Sequence, residues 1–358
     1  MKALIAMSGG VDSSVAALLT KQKGYDCIGC TMKLWDLPGE EGTQLKGSKT
    51  CCSLDDTEDA RSVAYRLGMP FYAFNYKDEF RESVICPFAS DYEHGRTPNP
   101  CIECNRFLKF GKLYERAMQL GCETIVTGHY ARIERRPDGR YLLKKGLDPS
   151  KDQSYVLHCL TQEQLAHTAF PLGGLTKDAV RQIAAEHGFV NANKPDSQDI
   201  CFVPDGDYAK VVERYGAGEG TVPGRFVDLE GRPIGTHRGL IHYTIGQRKG
   251  LGNTWGKPVF VVAIDPAANT VTLGDSADLF HREVRVSQFH WIAGEPPAAP
   301  IRCTAKLRYR QAEQPAEVRP EGEGRVTLVF DEPQRAPTPG QYAVLYDGDT
   351  VLGGGRIE

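Results

Sequence analysis

Two glycines flanked by hydroxyls and an acid, Ser8-Gly9-Gly10-Val11-Asp12-Ser13-Ser14, form the first chemically pointed stretch of this chain. A Gly-Gly turn lets backbone N–H groups approach an anion closely, and a helix starting just behind it adds the positive end of its dipole. Ser8, Ser13 and Ser14 supply further donors, and Asp12 is placed to hold Mg²⁺ on bound phosphates. The pattern predicts a phosphate-binding loop. A second stretch, Arg96–Asn105, carries Cys101 and Cys104 behind Pro98 and Pro100. The prolines predict a stiff loop, neither helix nor strand, that presents both thiols just before a helix. A cysteine at a helix N-terminus has its thiolate stabilised and is more reactive at neutral pH. A third stretch, Asp196–Phe202, reads by composition alone as a polar loop entering a short apolar run, with Cys201 an ordinary core thiol.

The elements around these residues follow from hydropathy and punctuation. Ala3–Met7 predicts a buried strand, and Val15–Leu19 opens a helix that closes near Gly24. Cys27–Lys33 and Phe71–Phe74 predict further strands. Ser53-Leu54-Asp55-Asp56 resembles a capped helix start, running to Gly68. Phe107–Leu120 has helical periodicity closed by Gly121, and Thr124–Thr127 is a short buried strand. Repeated β-α units of this kind imply a parallel sheet flanked by helices, with ligands at the carboxyl ends of its strands. Gly10, Gly128 and His129 fall at such ends. Arg132–Lys145 predicts a hairpin beyond the sheet, centred on Pro137-Asp138-Gly139. Gln153–Gly188 turns mostly helical, with Thr176 capping Lys177–His187.

From about Gly206 short β-like runs alternate with Gly and Pro: Thr221–Leu229, Val259–Ile264, Thr270–Leu273, Val326–Phe330, Tyr342–Tyr346 and Val351–Ile357, with Gly294–Pro300 a surface loop. The expected architecture is an α/β domain over residues 1–205, helical from about 150, then a small central β domain over 206–281 and a C-terminal β-barrel over 282–358.

The Ser8–Ser14 loop has neither the Gly-Lys-Ser/Thr ending of a Walker A loop nor a Gly-x-Gly-x-x-Gly fingerprint. It resembles the PP-loop of ATP pyrophosphatases, which cleave ATP between the α- and β-phosphates and adenylate a substrate oxygen so that a nucleophile displaces AMP. Ordered behind it come Thr97-Pro98-Asn99-Pro100 with Cys104-Asn105, Thr127-Gly128-His129-Tyr130, Lys151-Asp152-Gln153-Ser154-Tyr155, Asp196-Ser197 with Ile200-Cys201-Phe202, and Gly246–Gly252. Arg308-Tyr309-Arg310 and Thr338-Pro339-Gly340-Gln341 extend the set nearly to the C-terminus. Together these motifs are similar to those of the tRNA-specific 2-thiouridylase family.

The resemblance implies that ATP adenylates O2 of a wobble uridine, in tRNAs for Glu, Gln and Lys. It makes Cys201 the carrier of a persulfide, loaded by a sulfur-relay protein or a cysteine desulfurase. Cys104 is the second catalytic cysteine: it releases hydrosulfide from Cys201 or attacks the persulfide, leaving a Cys104–Cys201 disulfide. It assigns Ala6, Met7, Ser8, Gly9, Gly10, Val11, Asp12, Ser13, Met32 and Gly128 to ATP. Asn99, Pro100 and Cys101 face the target base. His129, Lys151, Asp152, Gln153, Arg308, Tyr309 and Gln341 contact tRNA. Members of the family often carry Asp where this chain has Cys101. That departure opens a competing scheme, in which Cys101, Cys104 and Cys201 hold a [4Fe–4S] cluster with one open iron; persulfide chemistry is the default.

The composition fits this picture without demanding it. At 358 residues, 41% hydrophobic and 25% charged, the chain supports two or three domains with real cores. No apolar run approaches the ~20 residues of a membrane helix. Met1-Lys2 leads straight into a strand, so a cytoplasmic protein without membrane attachment is expected. Eleven cysteines without a secretion signal do not suggest a disulfide framework. Cys27 and Cys30 are expected on opposite faces of one strand, Cys51-Cys52 lacks a matching pair for zinc, and Cys86, Cys122, Cys159 and Cys303 default to core. A net charge of −3 announces no polyanion partner, yet Arg302, Lys306, Arg308 and Arg310 lie together with no acid among them. Alternation would put all four on one face of an extended strand. Two rivals remain: another PP-loop ligase or amidotransferase acting on a small metabolite, and a non-catalytic nucleotide-sensing or RNA-binding protein. The first leaves Cys104 and Cys201 without a purpose.

Overall fold

The computed structural model describes residues 1–35, 54–195, 200–252 and 256–358. The expected cap at Ser53, the Cys51-Cys52 pair and Asp196–Asp199 of the Cys201 motif lie outside the described residues. The chain divides into two compact units, one comprising 1–84, 101–206 and 349–351, the other 85–100, 207–348 and 352–358.

The first unit is built on strands β1 (Lys2–Ala6), β2 (Asp26–Lys33), β3 (Phe71–Asn75), β4 (Thr124–Val126) and, after a hairpin β5 (Ala131–Arg135) and β6 (Tyr141–Lys145), β7 (Thr168–Ala169). The sheet has the order β3-β2-β1-β4-β7 and is parallel throughout. Covered on both faces, its central strand is continuously apolar: Ala3, Leu4 and Ile5 are fully buried. Helices α1 (Val11–Gln22) and α2 (Leu54–Arg66) follow β1 and β2. The strand order reverses between β1 and β4, which opens the crevice in which sheets of this kind bind ligands. The loops after β1 and β4 are Ser8–Gly10 and Thr127–Tyr130.

The expected loop ahead of Phe107 is instead helical. The chain enters a helix at Pro100–Glu103, widens into a nine-residue π-helical segment, Cys104–Lys112, and continues as Leu113–Gln119. Proline does not prevent this, because at the first helical position its missing N–H would have had no partner. Cys101 therefore sits inside the first helical turn, and Cys104 heads the π segment.

In the second unit, strands β8 (Gly224–Val227), β9 (Pro233–His237), β10 (Phe260–Asp265) and β11 (Thr270–Gly274) form a sheet ordered β10-β11-β8-β9. Strands β12 (Phe280–Trp291), β13 (Ile301–Lys306), β14 (Gln314–Gly322), β15 (Arg325–Arg335), β16 (Tyr342–Asp347) and β17 (Thr350–Ile357) run β12-β15-β14-β13-β16-β17. Pairing of β12 with β17 closes them into a barrel around Val284, Val318, Leu328, Phe330 and Leu345. The expected four-residue basic face does not form, because β13 ends at Lys306 and a turn closed by Gln311 carries Arg308 and Arg310. Arg302 is spent on Asp331, through two bonds of 2.8 and 2.6 Å. No described helix is long and apolar enough to cross a membrane.

Candidate functional site

The Ser8–Ser14 loop is shaped by its own hydroxyls. The Ser8 N–H donates to Ser13 Oγ at 3.2 Å, and Ser13 and Ser14 both donate to the Gly10 carbonyl at 3.0 Å. Gly10 caps α1 without a side chain, so the first N–H groups of a 12-residue helix face the crevice with no side-chain cap. Gly9 has φ +74°, and a Cβ there would run into the Asp56 carbonyl at the head of α2. A Cβ on Gly128 would stand 2.8 Å from the Asp12 and Ser13 backbone. Ala6, Met7, Val11 and Ser13 line or underlie this turn, with Met7 and Val11 in the core, while Met32 is half-buried near the carboxyl end of β2.

Tyr130 of the Thr127–Tyr130 motif and several residues outside the motifs hold the loop from behind. Both Asp12 oxygens pair with Lys177 Nζ at 2.8 Å, and Tyr130 donates its hydroxyl to Asp12 Oδ1 at 2.7 Å. Asn191 Nδ2 donates to the Gly9 carbonyl and to Ser14 Oγ, each at 2.9 Å. Lys194 bridges Asp56 and Asp59 at 2.5 and 2.7 Å; these carboxylates lift its ammonium above the usual lysine range against the opposing effect of burial. Lys177 follows the cap Thr176 at the first position of the helix Lys177–Glu186, where the dipole disfavours a cation. That mismatch marks Lys177 as unusual, but it does not name Asp12 as the partner.

The Lys151–Gln153 motif sits against the same network. The Tyr130 N–H donates to Gln153 Oε1 at 3.0 Å, and the Gln153 N–H donates to the Tyr130 carbonyl at 2.9 Å. Asp152 is buried and accepts from Gly146 N–H, Ser154 N–H and Ser154 Oγ. Lys151 is half-buried. His129, buried beside Phe110 and Phe170, shares a 2.7 Å hydrogen bond with Thr127 Oγ1. Burial, reinforced by Lys109, holds its imidazole well below the usual histidine range, so it is neutral at pH 7.

Cys101 is exposed, and Cys104 and Cys201 are half-buried; Cys104 and Cys201 both belong to the first unit. Beside Cys104, Asn105 is buried and donates to the Val156 carbonyl at 2.8 Å. Beside Cys201, Phe202 is buried edge-on against Phe80 at 5.7 Å, anchoring the chain where the motif ends. Among the described residues no three His, Cys, Asp or Glu side chains gather into a metal-binding group. Cys101, Cys104 and Cys201 thus do not stand as a cluster's ligand set in this arrangement.

In the second unit, Gln341 Nε2 donates to the Thr97 carbonyl at 2.8 Å, and the Thr97 N–H donates to the Pro339 carbonyl at 2.8 Å. Asn99 is half-buried and Pro100 buried. Arg308 Nη2 donates to the Ala336 carbonyl and Thr338 Oγ1, each at 2.7 Å, and Tyr309 is 37% exposed.

Residues 1–205 match the model of the tRNA methyl transferase HUP domain, 210–275 that of the tRNA methyl transferase PRC-barrel domain, and 281–357 that of the aminomethyltransferase beta-barrel domain. A tRNA-specific 2-thiouridylase MnmA of Clostridioides difficile strain 630 is 51% identical over 358 residues, covering 100% of this chain and 98% of its own. Its counterparts in Acetivibrio thermocellus and Geotalea uraniireducens are 50% and 49% identical, each over 100% of this chain and over 99% and 95% of their own. With half its residues shared end to end, and with an α/β domain, a PRC-barrel domain and a closed β-barrel in the same order, the chain belongs to the tRNA-specific 2-thiouridylase family.

Proposed function

We propose that this chain catalyses ATP-dependent 2-thiolation of the wobble uridine of tRNA. The observation that carries the reading is full-length identity of about half to relatives bearing that name, on a chain whose loop after β1 is built to receive an anion. A methyl transfer would leave this loop and the motif cysteines Cys104 and Cys201 without work.

A uridine carbonyl oxygen is a poor leaving group, and the reading resolves this by adenylation. O2 attacks the α-phosphate of ATP, the α–β bond breaks, and pyrophosphate leaves. The loop N–H groups of Ser8–Ser13 and the N-terminus of α1 bind and orient the triphosphate. Mg²⁺ would neutralise phosphate charge when bound, and Asp12 fits it: the side chain is 31% exposed, and its Lys177 and Tyr130 bonds leave a lone pair of Oδ2 for a metal. Met32 contacts the nucleotide in the same site, and Gly128 its adenosine portion.

Sulfur then arrives as a persulfide on Cys201, loaded by a sulfur-relay protein or a cysteine desulfurase. The terminal sulfur attacks C2 and AMP departs with the former O2. The Cys104 thiolate attacks Cys201 Sγ, breaking the S–S bond, leaving sulfur on the base and a Cys104–Cys201 disulfide that a thiol reductant reopens. In the alternative order, Cys104 first frees hydrosulfide, which attacks C2. Asn99, Pro100 and Cys101 face the base, and His129, Lys151, Asp152, Gln153, Arg308, Tyr309 and Gln341 serve tRNA binding directly or by holding the surfaces that do. The substrates are tRNAs for Glu, Gln and Lys, handled in the cytoplasm. No step runs through an iron–sulfur cluster.

Nucleoside mass spectrometry of unmodified tRNA, incubated anaerobically with the protein, Mg-ATP and a persulfide donor, tests the reading. 2-Thiouridine should appear with equimolar AMP. Its absence, with the donor shown to load Cys201, would overturn the proposal.

A further inference from the structure

We propose that Lys177 is the resident cation of Asp12, and that it makes divalent-metal binding at this carboxylate conditional on the negative charge of the nucleotide. The inference rests on the ATP reading above and adds a residue that none of the sequence motifs contains.

The Lys177 side chain is 7% exposed, and its ammonium stands 2.8 Å from each oxygen of Asp12, over the ring of Tyr130 at 5.9 Å. The backbone N–H of Lys177 is held by Asp148 Oδ2 at 3.0 Å, which fixes the start of its helix. The Asp148 carboxyl is kept below the usual range, first by the Ser150 hydroxyl and then by that N–H. This lysine occupies a helix N-terminus, where the dipole opposes a cation, and it is buried; Asp12 answers both costs. Asp12 and Lys177 therefore balance each other's charge.

A divalent ion placed on Asp12 would come within a few ångströms of the ammonium and repel it. Displacing Lys177 instead would strand a cation in a nearly closed pocket. A triphosphate changes the balance. Its oxygens sit at the head of α1 and supply the charge that lets Asp12 face a metal while Lys177 faces phosphate. The metal is then admitted with its nucleotide and not before it.

Electron paramagnetic resonance of Mn²⁺, titrated into the whole chain with and without the non-hydrolysable analogue α,β-methylene-ATP, reads this directly. The unmodified protein should bind Mn²⁺ at least about tenfold more tightly with the analogue than without it. Lys177→Met should raise nucleotide-free affinity by about tenfold and close that gap, whereas Lys177→Arg should keep it. Asp12→Asn should remove the nucleotide-dependent site. If Lys177→Met does not fold, Lys177→Gln carries the same expectation, since its amide still donates to Asp12 without a charge. A lysine that merely pinned two helices would not create metal affinity when removed. Failure of the analogue to bind, read by equilibrium dialysis, would overturn the ATP reading itself. Binding of the analogue with equal Mn²⁺ affinity in its presence and absence, or a folded uncharged variant with no gain, would overturn the role of Lys177 and leave the ATP reading standing.

Discussion

Burial separates the thiols among the described residues into two groups. It pushes Cys159 and Cys303 up to about 12 and holds Cys27, Cys30 and Cys122 above the ordinary thiol range. Cys27 and Cys30, expected on opposite faces of β2, are both buried because both faces of that sheet are covered. Brief iodoacetamide treatment of the native protein at pH 8, followed by peptide mapping, should modify exposed Cys101 first and spare Cys30 and Cys159; rapid labelling of Cys159 would contradict its burial. Cys201→Ser should abolish 2-thiouridine formation while leaving ATP binding unchanged, and substantial thiolation by that variant with a persulfide donor would remove the sulfur-carrying role. His129 titrates in the opposite sense from a paired histidine. Its folded pKa lies below the unfolded value of 6.5, so its contribution is complete above that pH and is lost as pH falls below it. His129→Gln should cost about 1 kcal/mol at pH 7.5 and flatten the decline between pH 6.5 and 5. Denaturant unfolding at the two pH values checks this, and an unchanged slope would refute it.

Elements show where local pattern was enough. Strands β1 to β4 were legible because each is an apolar run bounded by glycine or a polar turn, and the crevice followed from their alternation with helices. The helix at Pro100 was not, since proline at the first helical position looks the same in sequence as proline in a loop. Strand β13 was overextended because the even-numbered basic residues continue past Lys306, whereas Leu307 N–H is taken by Gln311 Oε1 and the chain turns. Within the site, Ser8–Ser14 announced itself. Its supports did not: Lys177 and Asn191 reach Asp12 and Gly9 across 165 and 182 residues, a pairing that no local window contains. The structure also gives Gln341 a job no motif revealed, holding the Thr97 carbonyl. Gln341→Ala should therefore raise amide hydrogen exchange across residues 96–99, consistent with a loss of about 1 kcal/mol, while β14 and β15 stay protected. Unchanged exchange there would show that this hydrogen bond does not hold the loop.

A chain with net charge −3 that handles a polyanion must place its cations selectively, and the barrel shows which remain available. Arg302 is matched by Asp331, which keeps that pair neutral, and Arg308 gives a nitrogen to the 336–338 loop. Arg310 is exposed, next to Tyr309, whose ring is also open to solvent. A cation beside an aromatic ring suits a phosphate next to an unstacked base. Binding of unmodified tRNA, measured by filter retention from 50 to 200 mM salt, separates these positions. Arg310→Ala should flatten the dependence of log affinity on log salt by about 0.7–0.9, the signature of one lost phosphate contact. Tyr309→Ala should weaken binding by about 1–3 kcal/mol without altering that slope, because stacking releases no counterions. Arg302→Ala provides the internal comparison: with its charge already cancelled by Asp331, it should move the slope by less than Arg310→Ala does. Equal slopes for Arg310→Ala and the unmodified protein, with affinity unchanged in Tyr309→Ala, would take this edge of the barrel out of the tRNA interface.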